Sequence, residues 1–180
     1  MNKAFFLDRD GVINKDHGYV HTWDKFEIIE NTFEALLLIK QRGYKIVVIT
    51  NQAGIARGYY RQSDYDSLMV KFLALAIERG VTIDGVYHCP HHPQGTVTGL
   101  NIDCGCRKPK PGMIFQAASE LEIDLTESYL VGDKISDIQA GLASGLKESL
   151  LVDSKACSLG KNFASLFDAV KFTLSTSQVC

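Results

Sequence analysis

The run Ile46-Val47-Val48-Ile49 leaves no polar face. Four consecutive β-branched residues, with Lys45 before them and Thr50 after, specify a strand covered on both sides. Such strands belong to parallel sheets with helices packed above and below. A shorter apolar run, Phe5-Phe6-Leu7, has the same character and stops at Asp8-Arg9-Asp10-Gly11. Between the two, the spacing predicts a helix over 32–41, with Phe33, Leu36 and Leu37 on one face and Gly43 just past its end. Ser63 is placed to cap a long helix over 64–79, closed by Gly80. Further strands are expected at 83–88, 129–131 and 149–152, and helices at 113–121 and 136–143. A last helix at about 161–174 would carry Phe163, Leu166, Phe167 and Val170 on one face. Strand and helix alternate throughout. The expected fold is therefore α/β, a single Rossmann-like domain over residues 1–180 with a mostly parallel sheet and helices on both faces.

In open sheets of this kind, ligands sit at the carboxyl ends of the strands. Asp8 and Asp10 follow the first strand, Thr50 and Asn51 end the second, and Gly132-Asp133 follows the run at 129–131. The pleat turns Asp8 and Asp10 to the same side. Either aspartate alone reads as a polar turn, but three strand ends delivering polar groups to one edge read as a site. Asp8, Asp10, Asp133 and Asp137 gathered there would repel one another, so a cation is required. Hard oxygen ligands with open positions suit Mg²⁺. The Thr50 hydroxyl and the Asn51 backbone N–H suit phosphate oxygens, and Lys108 offers a point charge for the same group.

Residues 89–111 form an irregular excursion rich in proline and glycine, with the candidate zinc loop at about 89–107. The four prolines of the chain are Pro90, Pro93, Pro109 and Pro111. Cys89 and His91 are two apart, as are Cys104 and Cys106, so each pair projects from one side of an extended segment. Four nitrogen and sulfur ligands make a closed tetrahedral Zn²⁺ site, a structural staple for a loop with little core of its own. On spacing alone His92 competes with His91. Cys157 and Cys180 stand apart from the cluster.

The net charge of −2 gives no reason to expect nucleic acid or a membrane surface as partner. No apolar run reaches the ~18 residues of a spanning helix. The first residues run directly into a strand without the pattern of a signal peptide. A cytoplasmic location with reduced thiols is the expectation. The loops between motifs have no room for a full cap domain. Water exclusion and specificity are left to segments 15–23, 52–61 and 90–107, with Arg57, Arg61 and Arg107 as candidate anion contacts at the rim.

The ordered set D-x-D, T-N, K-P and G-D-x-x-x-D resembles the haloacid dehalogenase (HAD) superfamily of phosphotransferases over residues 1–153. The resemblance implies Asp8 as nucleophile and Asp10 as proton donor and acceptor, with Thr50 and Lys108 stabilising the phosphoryl group. It implies Mg²⁺ held by Asp8, Asp133 and the backbone carbonyl of Asp10, with Asp137 in support behind them. Within the superfamily, D-R-D-G-V-I-N (8–14), D-H-G-Y-V (16–20), T-N-Q-A-G-I-A-R-G (50–58), C-P-H-H-P (89–93), C-G-C-R-K-P-K-P-G-M (104–113) and V-G-D-K-x-x-D (131–137) look like the heptose-bisphosphate phosphatases. That closer likeness implies zinc on Cys89, His91, Cys104 and Cys106. It also implies substrate contacts from Arg9, Asp16, His17, Gly18, Tyr19, Asn51, Gln52, Ala53, Arg107 and Lys134. The implied enzyme is a Mg²⁺-dependent phosphatase of a small phosphosugar, working as a monomer in the making of nucleotide-activated heptose. Histidinol-phosphate phosphatases share the scaffold and the zinc loop and are the nearest rival. Polynucleotide phosphatases fit the balanced charge poorly.

Overall fold

The computed structural model describes residues 1–152 and 161–176, so Cys157 and Cys180 lie outside the described residues. Six strands form one sheet: β1 (Ala4–Leu7), β2 (Lys45–Asn51), β3 (Gly85–Cys89), β4 (Tyr129–Gly132), β5 (Glu148–Val152) and β6 (Lys161–Phe163). Their spatial order is β3-β2-β1-β4-β5-β6, and every pairing is parallel. The order reverses direction at β1, so the crevice between β1 and β4 is the place where such sheets bind ligands. Leu7 pairs with both Val48 and Val131, which sets Asp8 level with the ends of both neighbouring strands.

The helices are α1 (Thr32–Gln41), α2 (Ala53–Ala56), α3 (Gln62–Glu78), α4 (Gly112–Glu120), α5 (Ile135–Ser144) and α6 (Leu166–Thr176). The pleat of β1 divides the interior. Phe5 and Leu7 enter the larger core with Ile46, Val48, Leu36 and Phe72, beneath α1, α3 and α6. Ala4 and Phe6 enter the smaller core with Val47, Ile49, Met113 and Ile114, on the side of α4 and α5. All four residues of β1 are fully buried. At about 1.5–3 kcal/mol for each large apolar side chain, burial makes this strand the most firmly held support for a site. Among the described residues no helix is long and apolar enough to cross a membrane.

Three sequence expectations are corrected. The tail is not helical from 161: Lys161–Phe163 adds a sixth strand beside β5, and α6 begins at Leu166. Ser165 sets that start, its Oγ accepting from Asp168 N–H at 3.1 Å. The long helix is not capped by Ser63. It starts at Gln62, and the Asp64 carboxylate accepts from the Arg61 N–H at 2.8 Å. The strand expected from 83 starts at Gly85, because Asp84 Oδ2 takes the Ile46 N–H at 2.7 Å. Replacing Ser165 with Ala removes the α6 cap and is expected to cost about 1 kcal/mol, a fall in Tm of about 2–4 °C in thermal denaturation.

Candidate active site

The carboxyl end of the sheet brings Asp8, Asp133 and Asp137 together, one oxygen of each within 4.8 Å of the others. Lys108 is driven into the same place. Its ammonium lies 2.9 Å from Asp8 Oδ1 and 2.7 Å from Asp137 Oδ1, and donates to the Ile49 carbonyl at 2.9 Å. The ammonium is thus held between two carboxylates and a backbone carbonyl. Burial opposes its charge, but Asp8 and Asp137 hold the Lys108 ammonium above its usual range. Three acids against one lysine leave the cluster short of positive charge. Asp8 shows the deficit: burial and the nearby Asp137 and Asp133 raise it to about 8 in spite of Lys108. Burial raises Asp133 as well, and its Oδ1 is enclosed with no hydrogen-bond partner. An orphaned buried carboxylate oxygen beside a second acid fits a hard divalent cation such as Mg²⁺. Gly11 makes the approach possible, with φ at +89° and a Cβ there falling 2.3 Å from Asp133 Oδ2.

Asp10 points elsewhere. Its oxygens accept from Arg9 Nη2 at 2.9 and 2.8 Å, from Asn14 Nδ2 at 3.0 Å and from Gln52 Nε2 at 3.2 Å. Its carboxylate therefore stands apart from the acidic cluster of Asp8, Asp133 and Asp137. The Arg9 side chain is wholly buried; its Nη2 donates also to the Val20 carbonyl at 2.6 Å, while its Nε and Nη1 are enclosed with no hydrogen-bond partner. The Arg9 backbone N–H donates to Asp8 Oδ1 at 2.8 Å. Gln52 is spent on the protein. Its N–H goes to the Cys89 carbonyl, its Nε2 to Asp10 and to Thr50 Oγ1 at 2.7 Å, and its Oε1 accepts from Tyr60 at 2.6 Å. Asn51 clamps the lysine segment: its Nδ2 donates to the Lys108 carbonyl and its Oδ1 accepts the Lys108 N–H, both at 3.1 Å. Ala53 opens the short α2. Asn14 and Tyr60 are the partners that sequence reasoning missed. Their role is set by hydrogen bonds, and only the closeness of Asn14 to the D-x-D motif and the glycines around Tyr60 hint at it.

The rim is built from the other predicted residues. Lys134 lies 3.2 Å from Asp16 and 3.7 Å from Asp133. Partial burial opposes the Asp16 charge, yet the Gly18 N–H and Lys134 hold its carboxyl below the usual range. His17 meets Glu27 at 3.1 Å, and Tyr19 stands edge-on to Tyr59 with ring centroids 4.7 Å apart. Arg57 meets His92 at 3.2 Å and Arg107 reaches the His91 carbonyl at 3.4 Å, whereas Arg61 sits apart at the start of α3. His92, Asp103, Arg107, Lys108 and Lys110 line a cleft of about 430 Å³.

Beside this edge, Cys89, His91, Cys104 and Cys106 converge. The sulfurs are 3.1–3.4 Å apart, and His91 Nδ1 lies 3.4 Å from Cys106 and 3.8 Å from Cys89. His92 turns away to Arg57 and Gln94, so His91 is the member of the cluster. Burial opposes it, but the thiols of Cys106 and Cys89 bring Cys104 down to about 6, while burial pushes Cys89 up. A closed S₃N set of this kind fits a structural Zn²⁺.

The matches to known proteins agree with this geometry. The HAD-hydrolase-like family matches residues 105–161. A D-glycero-beta-D-manno-heptose-1,7-bisphosphate 7-phosphatase of Yersinia pestis is 48% identical over 149 residues, covering 83% of this chain and 79% of that one. Its counterpart in Pasteurella multocida is 49% identical over 152 residues, covering 84% and 82%. The chain belongs to the heptose-bisphosphate phosphatase family of HAD-like hydrolases. A solved member, the D,D-heptose 1,7-bisphosphate phosphatase from B. bronchiseptica complexed with magnesium and phosphate, superposes with a TM-score of 0.83 at 28% identity, covering 97% of this chain and 99% of that one.

In this family member the charge deficit makes stability depend on pH. Asp8 binds its proton more tightly in the folded chain than in the unfolded one. Without Mg²⁺ its contribution to stability therefore falls as pH rises from about 4 to about 8. Asp8→Asn removes that titration. The Mg²⁺-free variant is expected to melt close to wild type at about pH 4 and several degrees above it at pH 8. Thermal melts across that range check this, and comparison at each pH cancels the other titrating groups.

Proposed function

We propose that this chain hydrolyses the 7-phosphate of D-glycero-β-D-manno-heptose 1,7-bisphosphate through an aspartyl-phosphate on Asp8. The observation that carries this is the convergence of Asp8, Lys108, Asp133 and Thr50 at one sheet edge, in a chain nearly half identical to enzymes of that name. An Asp8 oxygen attacks phosphorus, the bond from phosphorus to the sugar oxygen breaks, and the Asp10 carboxyl gives that oxygen its proton. Water then attacks the phosphorus of the acyl phosphate. The Asp10 carboxylate takes its proton, and the bond to Asp8 breaks to release inorganic phosphate. The Thr50 hydroxyl and the Lys108 ammonium donate to the phosphoryl oxygens. Mg²⁺, when held by Asp8, Asp133 and the Asp10 carbonyl with Asp137 behind, supplies charge neutralisation at those oxygens.

Several features support the substrate. Asp16, His17, Gly18, Tyr19 and Lys134 form a polar rim suited to sugar hydroxyls, with Asn51 and Ala53 beside Thr50. The Arg107 cleft is the right sign for a second phosphate. The relatives' names support the β anomer. The reading places a monomeric enzyme in the cytoplasm, where three clustered thiols stay reduced to hold Zn²⁺. Phosphate release is expected to be fastest on the β-heptose bisphosphate, slower on the α anomer, and slow on histidinol phosphate. Asp8→Asn is expected to release none. A preference for histidinol phosphate overturns the substrate assignment. Elemental analysis of protein purified without chelator should find about one zinc per chain, and Cys106→Ser should lose it together with several kcal/mol of stability.

A further inference from the structure

We infer that Gln52 and Tyr60 are positioning residues that lock the Asp10 carboxyl in its working orientation. This rests on the proposed role of Asp10 as proton donor and goes beyond it. Gln52 is 2% and Tyr60 6% exposed, and the amide of the one and the hydroxyl of the other are engaged with protein partners. The Gln52 amide lies between three groups. Its nitrogen donates to Asp10 Oδ2 at 3.2 Å and to Thr50 Oγ1 at 2.7 Å, and its oxygen accepts from the Tyr60 hydroxyl at 2.6 Å. A primary amide has two nearly equal orientations related by a flip. Flipped, the Gln52 oxygen would face the Asp10 carboxylate, acceptor against acceptor. The Tyr60 hydroxyl selects against that state because the flip would take away the Gln52 oxygen that accepts its buried proton. The same choice has Thr50 accepting from Gln52, which leaves its own hydroxyl proton free for a phosphoryl oxygen.

The tyrosine is itself held from both sides. His21 stacks on its ring with centroids 4.6 Å apart and planes within 5°. On the side of Gly54, any Cβ would fall 2.1 Å from Tyr60 Cε1, so a side chain there would expel the ring. Loop 15–23 and the start of α2 thus meet at the hydroxyl that orients Gln52.

The test is leaving-group dependence. The parameter kcat/KM covers events only up to departure of the alcohol, so it reads the Asp10 donor step without the later attack by water. Heptose bisphosphate leaves as an alkoxide and needs the proton; p-nitrophenyl phosphate leaves as a stable phenolate and does not. For Tyr60→Phe, which keeps the ring, the loss on heptose bisphosphate is expected to exceed the loss on p-nitrophenyl phosphate by about tenfold or more. Any loss shared through Thr50 or through general loosening cancels in that ratio. Gln52→Met, which keeps the shape and removes the amide, is expected to give the same sign. Asp10→Asn is the reference and should give a still larger ratio. A ratio near one for both Tyr60→Phe and Gln52→Met, with a large ratio for Asp10→Asn, overturns the inference. A ratio near one for Asp10→Asn overturns the proton-donor reading itself, and the inference with it.

Discussion

The ammonium of Lys108 is the point on which the rest of the site depends. It is fully enclosed, bound to Asp8, to Asp137 and to the carbonyl that ends the inner part of β2. A buried lysine is tolerated only where it is paired, and buried carboxylates likewise. Here each makes the other possible. One lysine cannot balance three acids, however, and the remainder appears as the raised Asp8 and the unpartnered oxygen of Asp133. The fold therefore carries a standing demand for a divalent cation beside Asp8, the nucleophile of the proposed reaction.

That lysine does not come from a strand or a helix. It follows Cys106 by two residues, in a segment with little core of its own. Two constraints bring it to the sheet. The Cys89–His91–Cys104–Cys106 cluster ties the loop to the end of β3, and Asn51 grips the Lys108 backbone in both directions. The register places these supports side by side, because Asn51 pairs with Cys89. The Cys/His cluster at one strand end thus fixes a charge at the next. In physical terms, the thiol–histidine cluster and the acidic cluster are two parts of one edge.

Much of this was legible in the sequence because strand termini announce themselves. Ile46–Ile49 could only be a covered strand, and the polar residues after Leu7, Ile49 and Val131 had to emerge at one edge once the sheet was parallel. The paired spacing of the cysteines and His91 was legible for the same reason. What could not be read were choices settled by tertiary contact. Lys161–Phe163 has an apolar residue at helical spacing but is captured by the open edge of β5. Asp64 and Asp84 each take a backbone N–H that decides where an element begins. His91 and His92 are indistinguishable by spacing and are separated only by what His92 turns toward. Gln52 reads as a polar group beside a site, and its amide is spent within the protein.

The pleat puts Asp8 and Asp10 on the same side of one strand end, yet the reaction proposed for them needs different roles: one attacks phosphorus, the other moves a proton. Equal access to a cation would erase the difference. The structure separates them by partners rather than by distance along the chain. Asp8 is enclosed with Lys108 and the other two acids, whereas Asp10 is turned into a ring of neutral and cationic donors from Arg9, Asn14 and Gln52. Two of those donors are anchored well away from the cation, Arg9 against Val20 and Gln52 against Tyr60. Because these anchors belong to the loop after β1 and the turn after β2, the segments proposed to enclose the substrate also hold the Asp10 carboxylate away from the acidic cluster. With no cap domain among the described residues, the same loops can in this way shape the site and give its two aspartates different surroundings.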